Sequence, residues 1–504
     1  MNTFLNEMKN DFNYGYTENG AVKHLTTMDH VLDLFAMGGA YRNRSEADCI
    51  RLFKDAFEEN DVLALKCLFY LRDVRGGQGE RRFFRVCMGW LAENYPERVK
   101  RLIKYIPEFG RYDDLFSLFD TSVENNVMSL ITKQLVTDMD SEKNGISLIA
   151  KWMPSENASS QLTKVRAKRI RNYLGITSKE YRCMLSKLRE KINVLETLMS
   201  ANRWDEITFD KIPSKAGLKY KNAFARRDLI AEKYRAFIKD KSKSVNAGTL
   251  YPYEIAERAF RMRGTSPEDT KRLALQKYWE NLPDYYQGRE ENGLAIVDVS
   301  GSMSGRPMAA AISLGAYVAE RGHGPFANHF ITFSENPQLI EFSGIDIVNK
   351  ILGAERADWG MNTNIEAVFE MLLSVALRKH TRPEDIPTRL YIFSDMEFDE
   401  CITSGPKVVD RYYRFGSNRY NLDREGIDTL FEQIKKKWAK FGYKLPQVIF
   451  WNLNARNNNI PAIGEGFSYI SGFSPVMIDT ILSGKDGRDL MLEKLNSERY
   501  ECIH

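Results

Sequence analysis

One carboxylate and three hydroxyls crowd into 298-DVSGSMSG-305, directly after the apolar run 294-LAIV-297. Three chemistries use short serine–glycine turns of this kind. A nucleophile elbow needs a serine at the centre of GxSxG, but the centre of 301-GSMSG-305 is Met303. A phosphate loop of the GxxxxGK[ST] type needs a lysine that is missing from this stretch. Oxygen ligation of a hard cation remains. On a turn at the carboxyl end of a strand, Asp298, Ser300 and Ser302 can aim at one point, and one carboxylate with two hydroxyls suits Mg²⁺ or another divalent cation. The plainer alternative is a surface Ser/Gly bend.

Further oxygens must come from other loops, and two stand in order along the chain. The stretch 358-DWGMNTNIEA-367 puts Thr363 at a loop entering a helical pattern, and 390-LYIFSDMEFD-399 ends an apolar run at Asp395. Asp395, Glu397 and Asp399 also gather acidic oxygens there, which leaves metal-assisted hydrolysis as a weaker alternative to ligand binding. His323 and His329, near a turn and a strand, read as structural. The expectation is a non-enzymatic protein.

The elements that must hold these loops alternate. From Asn292 onward, short apolar runs (294–300, 328–334, 338–343, 389–395, 447–453, 467–473) alternate with helical patterns at 307–322, 364–380 and 424–442. That is the texture of a doubly wound, mainly parallel α/β sheet. Residues 399–421 are long for a connection and read as an irregular insertion. Before residue 281 the periodicity is helical, as in 61-DVLALKCLFYLRDV-74 and 180-EYRCMLSKLREKINVLETLMS-200, with short turn-forming connectors between. Successive amphipathic helices of this kind suggest a HEAT-like helical-repeat body. The polar stretch 281-NLPDYYQGREEN-292 separates the two parts.

Charge is unevenly spread. The chain of 504 residues has a net charge of only +4, yet residues 151–250 hold 23 Lys+Arg against 10 Asp+Glu. A basic region of this size points to a polyanionic partner. The run 164-KVRAKRIR-171 contributes Lys164, Arg166, Lys168, Arg169 and Arg171; residues 211–243 contribute Lys215, Lys219, Lys221, Arg226 and Arg227 among eleven basic side chains against three acidic. Phosphate neutralisation by such surfaces gives salt-sensitive affinity. Tyr173, Tyr220, Phe224, Tyr234 and Phe237 interleave with these charges, either as stacking platforms for unpaired bases or as core residues. The loop 75-RGGQGERR-82 is open to two readings: a phosphate loop made by Arg75, Gly76, Gly77, Arg81 and Arg82, or a tight helix connection.

The order Asp-x-Ser-x-Ser, a Thr before a helix and an Asp after a strand resembles the metal-ion-dependent adhesion site of von Willebrand factor A domains. That resemblance implies Mg²⁺ at Asp298, Ser300, Ser302, Thr363 and Asp395, and an acidic side chain of a protein partner as its ligand. The stretches 65-LKCLFYLRDVRGGQGERRFFRVCMGWL-91 and 105-YIPEFGRYDDLF-116 resemble the helical body of TROVE-module proteins such as the Ro autoantigen. The chain is also similar, through 17-TENGA-21, 72-RDVRGGQGERR-82, 151-KWMPS-155, 212-IPSKA-216 and 472-GFSP-475, to an uncharacterised family that joins such a body to a C-terminal A domain. The resemblance implies a TROVE-like domain over 1–285, an A domain over 290–504, and RNA as partner in a ribonucleoprotein; the alternative is a protein-interaction scaffold without RNA. Six cysteines (49, 67, 87, 183, 401, 502) form no CxxC pair, and no run of 18 apolar residues occurs, so the expectation is a cytoplasmic monomer away from membranes.

Overall fold

A computed structural model describes residues 13–141, 145–192, 194–333, 337–356, 364–399 and 429–504. Thr363 and the expected insertion beyond Asp399 lie outside these residues. The chain forms two compact units. The first residues described are a hairpin of β1 (Tyr14–Tyr16) and β2 (Val22–His24), antiparallel around a turn in which Gly20 has a φ of 92°. Helix α1 (His30–Met37) follows, started by Asp29, whose side chain accepts from the Leu32 amide.

The helical unit runs from Arg44 to Pro283 and includes the tail from Leu495. Its longer helices are α2 (Glu46–Glu59), α3 (Asp61–Arg72), α4 (Arg82–Asn94), α5 (Glu124–Asp140), α6 (Gln161–Leu174), α7 (Ser178–Lys191), α8 (Ser214–Arg226), α9 (Asp228–Lys239), α10 (Pro252–Ala259) and α11 (Thr270–Glu280). Local chemistry sets several ends. Asn60 caps α3, Ser160 caps α6, and Gly175 closes α6 at a φ of 66° that a side chain would resist. Thr177 and Glu180 form a reciprocal capping box on α7. Leu65, Leu68, Phe69, Phe84, Cys87, Leu91 and Phe109 are fully buried and fill the core shared by α3, α4 and their neighbours.

The loop after α3 is a built connection. A methyl group at Gly77 would stand 1.8 Å from the Tyr70 carbonyl oxygen, and one at Gly76 would meet Arg499 and Asp73. The amides of Arg75, Gln78, Gly79 and Glu80 already donate to Asp73, Tyr70, Asp73 and Leu71. Of the two readings of 75–82, the tight helix connection is the one this packing favours: close contacts account for Gly76 and Gly77, and most of the amides have acceptors within the chain. Gly77→Ala should lower stability by ~2–3 kcal/mol, because the obstacle is backbone. A urea-unfolding midpoint equal to wild type would refute this.

In the other unit, β3 (Gly293–Val297), α12 (Arg306–Arg321), β4 (His329–Thr332), β5 (Leu339–Glu341), α13 (Ile365–Lys379), β6 (Arg389–Ser394), α14 (Leu430–Lys440), β7 (Gln447–Asn452) and β8 (Phe467–Ser471) build a six-stranded sheet of order β5-β4-β3-β6-β7-β8. All pairs are parallel except β4–β5. The six strands fall on the six apolar runs of the sequence. The near-continuous burial of β3, β4, β6, β7 and β8, complete for Phe467–Ser471, fits a sheet covered on both faces, while β5 forms an exposed edge.

Residues 13–43 belong to this α/β unit, not to the helical part where the sequence reading placed them. Backbone bonds join His24 and Ile460 in both directions, the Gly39 amide donates to Ser471 Oγ, and Ser471 Oγ donates to the Phe35 carbonyl. The polar groups of a hairpin this short find partners on the sheet's loops.

Candidate functional site

Strand order creates the first candidate site. The chain leaves β3 toward β4 on one side, while β6, β7 and β8 extend on the other. The carboxyl ends of β3 and β6 are therefore the switch point where open α/β sheets take ligands. Asp298 follows β3 and Asp395 follows β6, and both are about 1% exposed. Asp298 Oδ1 accepts from the Ser300 amide at 2.8 Å and Oδ2 from Ser394 Oγ at 2.6 Å. Ser300 Oγ and Ser302 Oγ are 3.0 Å apart. Met396 sits at a φ of 65°, a left-handed conformation held while its amide donates to Ser394 Oγ.

Burial, and for Asp298 the neighbouring Asp395 carboxylate, push both acids above the usual carboxylate range. Asp395 Oδ2 is buried and accepts no hydrogen bond from a described residue. Its charged neighbour is Arg456, with Nη2 at 3.3 Å, and Arg456 Nη1 lies 2.7 Å from Glu18 Oε2 on the β1–β2 turn. Glu397 Oε2 accepts from the Glu18 amide. Two buried carboxylates and two hydroxyls fit a hard divalent cation, whose charge would offset the cost of burying both acids. Among the described residues no cluster of three or more His, Cys, Asp or Glu side chains suits a metal. The Asp/Ser set is thus the candidate, with Thr363 outside the described residues.

The helical unit carries the second site. Asp113 and Asp114, in a tight turn after the helical residues 106–109, are ringed by arginines. Buried Arg72 reaches Asp114 Oδ2 through Nε at 2.9 Å and Nη2 at 2.5 Å. Arg85 bridges Asp114 Oδ1 at 2.7 Å and Asp113 Oδ2 at 2.9 Å. Arg111 bonds Asp113 and lays its guanidinium 4.1 Å above Trp152. Arg81 reaches Asp113 at 3.9 Å, and Arg166 lies 5.6 Å above Phe116. Five guanidiniums thus surround two carboxylates. Burial pulls Arg81, Arg111 and Arg166 below the usual arginine range, Arg111 to about 10, and neighbouring arginines add to it.

The structure sorts the basic residues singled out in the sequence. Lys164 and Lys168 are exposed on α6, and Arg166 joins the arginine cluster. Arg169 is paired with Asp120 and Glu124, each at 2.6 Å, and Arg171 with Glu156 at 3.2 Å. Lys215 pairs with Glu254 at 3.3 Å, and Arg227 packs over Trp204. Lys219, Lys221 and Arg226 line a cavity together with Arg258, Arg261 and Lys271. Of the aromatics, Phe224, Tyr234 and Phe237 are core residues, which removes them as stacking platforms; Tyr173 is exposed and Tyr220 half-buried. Sequence reasoning missed Arg85, Arg111, Arg258, Arg261 and Lys271. The signal within reach was the doublet 113-DD-114, two acids with a single nearby cation, Arg111, to balance them.

Comparisons with known proteins come from three directions. A family described as "Domain of unknown function (DUF2828)" matches residues 17–144 and 146–284. A second, "Domain of unknown function (DUF7788)", matches residues 292–501. Uncharacterized protein L728 of Acanthamoeba polyphaga mimivirus is 31% identical over 94% of this chain and 85% of its own length. The crystal structure of the Deinococcus radiodurans RO (RSR) protein covers 94% of this chain and 100% of that one, at 12% identity and a TM-score of 0.37.

Proposed function

The chain belongs to the DUF2828 family, and from that premise we propose that its helical unit binds single-stranded or structured non-coding RNA. The observation that carries the reading is the arginine cluster around Asp113 and Asp114. Five arginines against two aspartates leave a surplus of three positive charges, and the guanidiniums of Arg111 and Arg166 lie over aromatic rings. Arginine so presented suits phosphate forks and exposed base faces together. Lys164 and Lys168 on α6 extend the basic face, and Tyr173 offers a stacking ring. The test is retention of a single-stranded oligoribonucleotide by the full chain at rising salt, where affinity should fall as phosphate contacts are screened.

The α/β unit adds a von Willebrand factor A-like ligand site. Asp298, Ser300, Ser302 and Asp395 hold Mg²⁺ in this reading, and the cation's role is to bind, not to catalyse. Support comes from the buried Asp395 oxygen that accepts no hydrogen bond from a described residue, although Arg456 Nη2 lies 3.3 Å from it. The open position of such a cation would suit a carboxylate from a protein partner, the scaffold role that stands second to RNA. Mn²⁺ titration followed by electron paramagnetic resonance should show one bound ion in the wild type and none in Asp298→Ala. Equal binding by the two proteins would remove these residues from the metal's account.

A further inference from the structure

A cavity of about 540 Å³ opens in the helical unit between α8, α10 with the residues that follow it, and the start of α11. Its wall carries six cations, Lys219, Lys221, Arg226, Arg258, Arg261 and Lys271, against one acid, Glu257. Lys221 is 3% exposed, and the partner of its ammonium is the neutral Asn222 Oδ1 at 3.0 Å. Among the described residues, Lys221, Arg226, Arg261 and Lys271 lie within ion-pair distance of no carboxylate, and Arg258 donates to the Glu254 backbone carbonyl. Elsewhere in the same unit, buried or half-buried cations are met by carboxylates, as Arg72 by Asp114 and Arg171 by Glu156, or by several carbonyls, as Lys277 by those of Ile238 and Asp240. Among the described residues, the Lys221 ammonium has the single Asn222 amide oxygen.

An ammonium buried without a counter-ion is costly, and the usual resolutions are loss of its proton or a bound anion. Burial, with repulsion from Arg258 and Lys271 and partial relief from Asp269, pulls Lys221 down to about 8. It therefore stays largely charged at neutral pH, and the deficit is met best by a ligand bringing two negative charges. Leu218 and Met262 give the same cavity an apolar wall, and the volume is that of small-molecule sites. A bare inorganic ion would leave that wall unused.

We propose that this cavity binds a phosphate monoester, with the phosphate among Lys221, Arg258 and Lys271 and the organic part against Leu218 and Met262. The monoester is either a free nucleotide or the terminal phosphate of an RNA strand. The strand-end form rests on the RNA reading above; the free-nucleotide form does not.

The test uses the full chain and one short single-stranded RNA carrying a 5′-phosphate, a 3′-phosphate or neither, with adenosine 5′-monophosphate and adenosine as separate ligands. Calorimetry should show a tenfold or greater preference for a phosphorylated end over the unphosphorylated strand. Binding of the monophosphate without adenosine binding assigns the free nucleotide as well. The double variant Lys221→Met, Arg258→Gln should lose the preference while keeping the affinity of the unphosphorylated strand. No preference for either phosphorylated end, together with no monophosphate binding, overturns the proposal and leaves the RNA reading standing. If all three strands fail to bind, the RNA reading falls, and the monophosphate result decides the cavity.

A second readout guards against misfolding. With its folded value below the unfolded one, Lys221 binds a proton more readily in the unfolded chain between about pH 8 and the ordinary 10.5. Wild-type stability contributed by this group thus rises with pH across that window. Lys221→Met should melt higher than wild type at pH 7 without ligand, and the gap should narrow toward pH 10.5. Lys219, Arg226, Arg261 and Glu257 face the cavity too. A variant that melts lower at pH 7 would place a stabilising counter-charge beside Lys221 and contradict the unpaired site.

Discussion

Arg81→Ala combined with Arg166→Ala should weaken single-stranded RNA binding about 10- to 100-fold near 0.1 M salt. These two arginines are the members of the cluster that can be removed without emptying the core. Arg81 is half exposed, with its one contact to Asp113 at 3.9 Å, and Arg166 rests over Phe116. Arg72 and Arg85, by contrast, hold buried Asp114. Loss of two phosphate contacts should also flatten the dependence of log affinity on log salt by about 1.4 for a single strand. The flattening is the sharper criterion, because a general loss of fold would not change the slope by a set amount. Filter binding at four salt concentrations reads both quantities. Unchanged affinity and slope, with wild-type melting, would move the RNA site away from this cluster.

Asp114→Ala should destabilise the helical unit by about 3–5 kcal/mol. Asp114 is fully buried and accepts from Arg72 twice, from Arg85 and from the Arg111 amide. Truncating it leaves the guanidinium of Arg72, 1% exposed, without its partner in a low-dielectric core. Gly110 is part of the same construction, since a methyl there would stand 2.4 Å from Asp114 Oδ2. Asp114→Asn, which keeps the shape and one of the two acceptor oxygens, should recover part of the loss. Denaturant unfolding of the three proteins ranks them directly. A loss under about 1 kcal/mol for the alanine variant would show that water reaches Arg72 and that the network is a surface one.

The α/β half was legible because five of its six strands are buried on both faces and read as short apolar runs. Asp298 and Asp395 could be placed at strand ends for the same reason, and β3 and β6 prove to be neighbours at the switch point. Residues 13–43 were not legible as part of that unit. Strands of three residues leave no periodicity, and their partners, Ile460 and Ser471, lie more than 400 residues along the chain. Windowed charge misled in both directions. It counted Arg169, whose acids Asp120 and Glu124 lie outside the window, and it passed over Arg258, Arg261 and Lys271, which sit among nearly equal numbers of local acids. Phe224, Tyr234 and Phe237 looked interleaved with charge because an amphipathic helix alternates core and surface every three or four residues.

The central claim is that the helical unit recognises RNA through phosphate contacts, and a salt titration of the full wild-type chain tests it most directly. Binding of one 20-nucleotide single-stranded RNA, measured between 0.05 and 0.4 M salt, should give a log–log line falling with a slope of about −2 to −4, as three to five neutralised phosphates would produce. A flat line, or no binding at the lowest salt, would contradict the account.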